Sequence, residues 1–507
     1  ARVLRQRHRA LELPRRVLGE RGAPERSLSA LTALFGELID GPPSSAAFMV
    51  AAGLLVPRSE ITMPGVSLND TRVGFLRVLE RIPDGALSFI YLLHPDPWPK
   101  ARHAKRRMVN DGPVGMFAAK LRPGGELRFG AFTTRRRAER LFSARCAAHL
   151  SPDHLRGFEE GDAPPVLGYA DAPAEGDRLF LSARAIPAWG SGEIWAKRRG
   201  GSGVVIVGGE VAGWFAPDGT PAPGPEFFDS PPTILDRTGA VELEGRMIGP
   251  VWELMSGNPD QVATDVAALF PDAGAATLPA GSHQFGEHPL LLGNGVQVEP
   301  CVVFDTSAGP IWLDDGVRVK AFTRMAGPAY VGRGSLILGG SLESVTIGDG
   351  CRIRGEFAQS VCLNYVNKAH DGHIGHAYLG AWVNLGAETT NSDLKNNYGT
   401  VRLWTPEGDR DTGELKVGCF LGDHVKTGIG LLLNTGTVVG AGSNLYGALL
   451  PPKYVPPFSW GTGEELTAYR VDKFLDVAGR AMARRKVTLS EAAQGQLRRA
   501  WNASRSA

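Results

Sequence analysis

The sequence predicts two unlike halves: an α/β N-terminal region, then a three-sided parallel β-helix that ends in a C-terminal helix. Three observations lead there. A glycine-marked aliphatic repeat fills the chain from about 285 to 450. The residues before it mix helix-spaced segments with apolar runs of strand length. The residues after it have helix-forming composition with a basic end.

Composition sets the frame. The chain has 507 residues, enough for two to four domains and a sizeable core. Glycine (65) and proline (36) make up about a fifth of it, which fits a turn-rich β region. Lys+Arg (55) and Asp+Glu (53) nearly cancel to +2, but the basic excess sits in the first third. The longest apolar run, 46–56, is too short for a bilayer, which needs ~20 residues, so no membrane partner is expected. The five cysteines are odd in number and form no CxxC, which argues against a disulfide framework or structural zinc and points to a cytoplasmic protein.

The elements follow in order. Residues 28–39 and 73–82 carry helical spacing, 87–93 is an apolar run of strand length, and 126–132 is a shorter one. Residues 135–146 read as a basic helix, 204–207 and 240–243 as short strands. Pro164-Pro165, Gly200-Gly201 and the proline-rich 221–225 mark loops.

The repeat reads Leu292-Gly293…Val298, Leu313-Asp314…Val319, Val331-Gly332…Ile337 and Ile347-Gly348…Ile353. It continues as Leu379-Gly380…Leu385, Leu421-Gly422…Thr427 and Val439-Gly440…Leu445. The steps 313 to 331 and 421 to 439 are each 18 residues, three hexapeptides, which is one coil of a three-sided helix. Steps of 21, 16, 32 and 42 read as insertions. A β-sandwich is the alternative, but its strands need not repeat glycine at a fixed hexad position. Domain boundaries are expected near 125, 275 and 450, giving 1–125, 126–275, 276–450 and a helical tail 451–507, whose helix runs over 464–485 and caps the open coil or packs on a neighbouring subunit.

The densest polar cluster is Asn367-Lys368-Ala369-His370-Asp371-Gly372-His373-Ile374-Gly375-His376, followed by Asn384 and Ala387. Three histidines at spacing three invite a metal. In an extended strand, however, that spacing places neighbours on opposite faces, and no metal is expected. A neutral imidazole beside a lysine and an asparagine suits general-base work on an amine or hydroxyl; the bland alternative is a histidine hydrogen-bonded at a solenoid corner.

Residues 290–450 resemble the left-handed β-helix acyltransferase domain of the bacterial bifunctional enzyme that acetylates and uridylylates glucosamine 1-phosphate. The resemblance implies that His370 is the catalytic base, that Lys368 and Asn384 contact the sugar phosphate, and that Ala387 and Ala441 line the site of acetyl-CoA or another acyl-CoA. It also implies a homotrimer acting on a sugar phosphate or nucleotide sugar. His373 stands where that enzyme has tyrosine, and no glycine-rich triphosphate loop occurs in 1–275. Closer still is the resemblance to a sugar nucleotidyltransferase family with a β-helical C-terminus, over about 126–490. It is carried by Asn367-Lys368-Ala369-His370-Asp371-Gly372, by Asn391-Ser392-Asp393-Leu394-Lys395-Asn396-Asn397-Tyr398 and by Pro457-Phe458-Ser459-Trp460-Gly461.

The N-terminal third reads differently. An apolar run delivers His94-Pro95-Asp96-Pro97-Trp98-Pro99-Lys100, then Arg102, His103, Lys105, Arg106 and Arg107. This is similar to the signature of tRNA (guanine-N7)-methyltransferases over about 65–130. The resemblance implies a partial Rossmann-like fold, Asp96 as catalytic residue, Lys100 and the basic run as tRNA contacts, and S-adenosylmethionine as cofactor. The strand-turn-helix that would hold that cofactor is missing upstream. Arg122-Pro123-Gly124-Gly125-Glu126-Leu127-Arg128 fits both families and is the expected seam of a fused reading frame. Three functions are therefore expected in order: sugar-directed acyl transfer, tRNA methyl transfer, and a non-catalytic solenoid.

Overall fold

The computed structural model describes residues 126–505, apart from 151–157, 160, 169–170, 173–174, 197–202, 221–239, 273–275, 407, 448–449 and 464. Asp96, Lys100, Arg102, His103, Lys105, Arg106 and Arg107, with the predicted elements before 126, lie outside the described residues.

The N-terminal block, 126–272, is a mixed α/β layer. It opens with a tight hairpin, Arg128–Phe129 against Phe132–Thr133. Helix α1 (Thr134–Phe142) follows, with the Thr133 hydroxyl accepting from the Arg136 amide at 3.3 Å. The predicted basic helix over 135–146 thus stops early, at Ser143, which takes left-handed dihedrals (φ 50°). A four-stranded sheet orders Arg178–Leu181, Glu210–Ala216, Gly203–Val207 and Val241–Leu243, and only the last pair is parallel. Short helices α2 (Ser191–Ala196) and α3 (Glu253–Ser256) and the longer α4 (Asn258–Leu269) complete the block.

The solenoid has three faces. Nine parallel strands build the first: Leu290–Leu292, Ile311–Leu313, Ala329–Val331, Thr346–Ile347, Val361–Cys362, Tyr378–Leu379, Cys419–Leu421, Thr437–Val439 and Tyr454–Val455. The second face runs from Gln297–Val298 to Ser459–Gly461, and the third from His283–Phe285 to Leu432–Leu433. Each coil turns one aliphatic residue inward per face, as the hexad pattern predicts. Leu313, Val331, Ile347, Leu379, Leu421 and Val439 stack with no exposed surface. Each such side chain contributes roughly 1.5–3 kcal/mol by leaving water.

One step of the repeat resolves differently from expectation. The step of 32 is not an insertion but two whole coils. Val361–Cys362 pairs with Thr346–Ile347 below and Tyr378–Leu379 above, and Leu363 stands where the seven predicted rungs carry glycine or aspartate. The step of 42 does contain an insertion, 392–416, built around the hairpin Arg402–Thr405 and Gly408–Asp411.

The corners need left-handed backbone. Gly316, Gly334 and Gly350 supply it in the early coils; Tyr365 (φ 63°), Trp382 (φ 63°) and His424 (φ 61°) do so later. A non-glycine residue there costs about 1–2 kcal/mol, which ring stacking offsets. Tyr365 and Trp382 stack at 4.1 Å, and Trp382 faces His424 at 6.2 Å. Burial holds the His424 imidazole down at about 3, so it is neutral. Helix α5 (Val471–Ala483) seals this corner, with Phe474 edge-on to both His424 and Phe458. It is shorter than the predicted 464–485, and a further helix, α6 (Glu491–Arg505), packs beside it. The end of the second face is closed by Leu466–Ala468, which pairs antiparallel with Ser459–Gly461.

The N-terminal block packs on the first face. Leu127, Phe129, Val251 and Trp252 share a core with Tyr378, Phe420 and Val438. Asn258 donates to the Thr346 hydroxyl at 2.9 Å and accepts from the Gly130 amide at 2.9 Å. The inserted hairpin covers the same face, with Trp404 stacked on Tyr454 at 3.5 Å. No helix among the described residues is long and apolar enough to cross a membrane.

Close coil stacking makes one position especially intolerant. Gly340 sits at a bulge with φ +102°, and a Cβ there would lie 2.2 Å from the Gly355 carbonyl oxygen. Gly340→Ala is expected to destabilise the solenoid by more than about 2 kcal/mol, read as a lower urea midpoint. An unchanged midpoint would mean that the corner relaxes.

Candidate functional site

The polar cluster of the sequence falls on the corner between the second and third faces, at the coils of Asn367–Lys368 and Asn384. His370 stands exposed at that corner, and its ring makes no hydrogen bond or ion pair among the described residues. The loop beneath it is fixed. Arg354 Nε donates to Asp371 Oδ1 at 3.0 Å, and the Glu388 amide donates to the Asp371 carbonyl at 2.9 Å.

Asn384 lies on the outward side of the second face, one coil above Asn367, and its Oδ1 accepts from Asn367 Nδ2 at 2.9 Å. Arg485, just beyond α5, reaches the same ladder, with Nη2 3.4 Å from Asn367 Oδ1. Lys426 follows in the next coil, and burial brings its amine down to about 8. Ala387 lies half-buried on the His370 corner, its carbonyl accepting from the Gly430 amide at 2.8 Å. Ile429, beside it, is 76% exposed.

Two predicted contacts need correction. Lys368 is not a surface residue. It pairs with Ile353 in the inward column of the second face, has 0% exposure, and spends its Nζ on the carbonyl oxygens of His370 and Asp371. It cannot reach a substrate from there. Ala441 is also enclosed, at 3% exposure, and lies on the other corner, between the first and second faces, where its carbonyl accepts from the Phe458 amide. It does not meet Ala387.

A second cluster escaped the sequence reading. His373 and His376 do not part to opposite faces, because the chain turns at His376 (φ 48°), just past the strand His373–Gly375. Both approach Asp393, which begins the inserted segment: His376 Nδ1 lies 2.7 Å from Asp393 Oδ2, and His373 Nε2 lies 3.8 Å from it. Glu356 flanks His373 on the other side, at 3.3 Å. Asn391 locks the turn by accepting from the Gly375 amide and donating to its carbonyl.

The imidazoles of His373 and His376 hold the Asp393 carboxyl well below the usual carboxylate range. Asp393, opposed by burial and aided by Glu356, raises the His373 imidazole. The sign follows from linkage. A raised histidine adds stability that is fully present below its unfolded value, ~6.5, and is lost as pH climbs through the folded value. A lowered carboxyl adds stability that is present above ~3.9 and lost below. Asp393→Asn should therefore lower the thermal midpoint more at pH 6 than at pH 9. Equal losses at both would mean that the charge contributes nothing.

The five cysteines are unpaired. Cys351 and Cys419 lie inside the solenoid, where burial pushes both thiols up to about 12 and removes them from chemistry at neutral pH.

Comparison with known proteins adds family context. Residues 119–272 match the family model described as sugar nucleotidyl transferase, and residues 69–134 the one described as "Putative methyltransferase"; the two overlap over 119–134. Over 55 residues the chain is 86% identical to the tRNA (guanine-N(7)-)-methyltransferase of Novosphingobium aromaticivorans, covering 11% of this chain and 23% of that one. The same enzyme from Sphingopyxis alaskensis is 80% identical over 55 residues, with coverage of 11% and 23%. The chain thus spans about a quarter of the length of the curated relatives it matches. Among solved structures, the Arabidopsis UDP-N-acetylglucosamine acyltransferase aligns over 41% of this chain and 80% of that one. Identity is 14% and the TM-score 0.19, a level that supports no inference.

Proposed function

We propose, for a chain whose residues 119–272 match the sugar nucleotidyl transferase family model and whose residues 69–134 match a methyltransferase model, that its solenoid transfers an acyl group from acyl-CoA to a sugar phosphate or nucleotide sugar. The supporting observation is His370: an exposed imidazole on a corner whose backbone is pinned from both sides, with the Asn384 amide one coil away.

The chemistry is simple to balance. Neutral His370 takes the proton from the sugar amine or hydroxyl as it attacks the thioester carbonyl. The new C–N or C–O bond forms, the C–S bond breaks, and the departing thiolate receives the proton from the imidazolium. Ala387, Gly430 and the exposed Ile429 offer a small-residue and apolar edge beside His370 against which an acyl-pantetheine arm fits. The site is expected to be completed in a homotrimer.

Thiol release from acetyl-CoA in the presence of glucosamine 1-phosphate tests the proposal, with His370→Ala as the control. If no hexosamine phosphate stimulates release by the wild-type protein, the proposal fails. The second reading, tRNA methyl transfer at Asp96 using S-adenosylmethionine, rests on the 55-residue identity. Thermal-shift measurements with acetyl-CoA and with S-adenosylmethionine separate the two, and a shift with S-adenosylmethionine alone would favour the second reading.

A further inference from the structure

We propose that Lys368 is the positioning residue of the His370 loop, an ammonium group sealed inside the solenoid that fixes the loop's backbone beneath the imidazole. This rests on the proposed role of His370 as base.

The register is the first argument. Lys368 occupies an inward column otherwise filled by Val298, Val319, Ile337 and Ile353 on one side and Leu385 on the other. An ammonium group in such a column is costly unless its N–H groups find acceptors. Here they find two, the carbonyls of His370 and Asp371. The Asp371 carbonyl has a second donor in the Glu388 amide, whereas that of His370 has Lys368 alone among the described residues.

The surroundings are shaped around the amine. Gly372 takes φ +132°, and a Cβ there would stand 3.1 Å from Nζ and 2.4 Å from the Thr389 carbonyl. The next interior layer is polar as well, with the Thr389 and Thr427 hydroxyls 2.8 Å apart. A solenoid that needed only stability would place an aliphatic residue at 368, as the four preceding coils do. Burial lowers the amine to about 8, against the opposing pull of Glu388 and Asp371, so the group is mostly charged at neutral pH. The charged groups on neighbouring elements are those two carboxylates, Arg354 bonded to Asp371, and His373 with Glu356 on the third face.

Lys368→Met fills the column with an apolar chain of similar length and removes both donor and charge. The thermal midpoint is expected to stay level or rise. The Glu388 amide, which donates to the Asp371 carbonyl, is expected to exchange its hydrogen ~10-fold faster in the full-length variant, as followed by hydrogen exchange. In thiol release from acetyl-CoA, kcat is expected to fall ~10–100-fold with KM little changed, as for a group acting only in the transition state. Lys368→Gln keeps a donor and should show a smaller loss of kcat.

Unchanged exchange at the Glu388 amide in Lys368→Met overturns the proposal, as does an unchanged kcat. A midpoint that collapses in both variants would assign Lys368 a purely structural role and likewise overturn it. If His370→Ala itself retains full thiol release, the proposed base fails, whereas exchange at the Glu388 amide still reports on Lys368 independently.

Discussion

His370→Ala is expected to lower acyl transfer by ~10²–10⁴-fold, the usual contribution of a positioned general base, while leaving the fold intact. The separation of the two effects comes from where the ring sits. His370 is exposed, and its ring makes no hydrogen bond or ion pair among the described residues, so its removal opens no cavity and orphans no buried group. Exposed positions of this kind change stability by no more than about 0.5 kcal/mol. The loop below keeps its shape, because its restraints come from Arg354, Lys368 and the Glu388 amide and not from the imidazole. The measurement is thiol release from acetyl-CoA alongside a urea denaturation curve. Full activity in the variant would end the role assigned to this ring. Lost activity with a shifted curve would show that the corner depends on the ring for its structure.

The largest expected effect on stability lies far from that corner, at Asp265 on α4. Its carboxylate accepts both terminal nitrogens of Arg137, at 2.6 and 2.7 Å, with the pair 1% and 0% exposed. It also accepts from the Ala131 amide at 2.9 Å, from Trp189 Nε1 at 3.1 Å and from Gln261 Nε2 at 2.9 Å. Asp265→Ala strands a buried guanidinium and three further donors, for which ~3–5 kcal/mol is the expected loss. Combining it with Arg137→Met should recover much of that, since the cost comes from the charge left without its partner. Chemical denaturation of the two variants decides the matter, and a loss under 1 kcal/mol for Asp265→Ala would show that water reaches the site. Thr346 of the solenoid donates to the Gly130 carbonyl in the same turn, so the damage should spread to the contact between block and solenoid.

The solenoid was largely readable because its constraint is local and periodic. One inward aliphatic per face and a permissive residue at the corner leave marks at fixed spacing, and the seven rungs picked out by glycine or aspartate fall on the first face. The rung at Cys362 was hidden because Leu363 follows it. Lys368 was misread because its chemistry looked superficial, although counting the register from Ile353 places it inside. The carboxylate between His373 and His376 was missed for a related reason. Asp393 is 17 residues from His376, one coil on, and neighbours in a solenoid are separated by a coil and not by a turn. Glu356 to His373 and Asn367 to Asn384 obey the same interval. The N-terminal block was less legible. Its strands are two to seven residues long, and its buried Arg137–Asp265 pair joins positions 128 apart, a distance at which no local pattern survives.

The covered first face carries a last consequence. Trp312, Tyr330, Tyr378, Phe420 and Val438 are interior only because the block and the inserted hairpin lie over them. Cut free of the block, the coils would present this aromatic strip to water and precipitate or self-associate. Any partner grafted onto these coils in place of the block would need an apolar underside of its own to cover the strip.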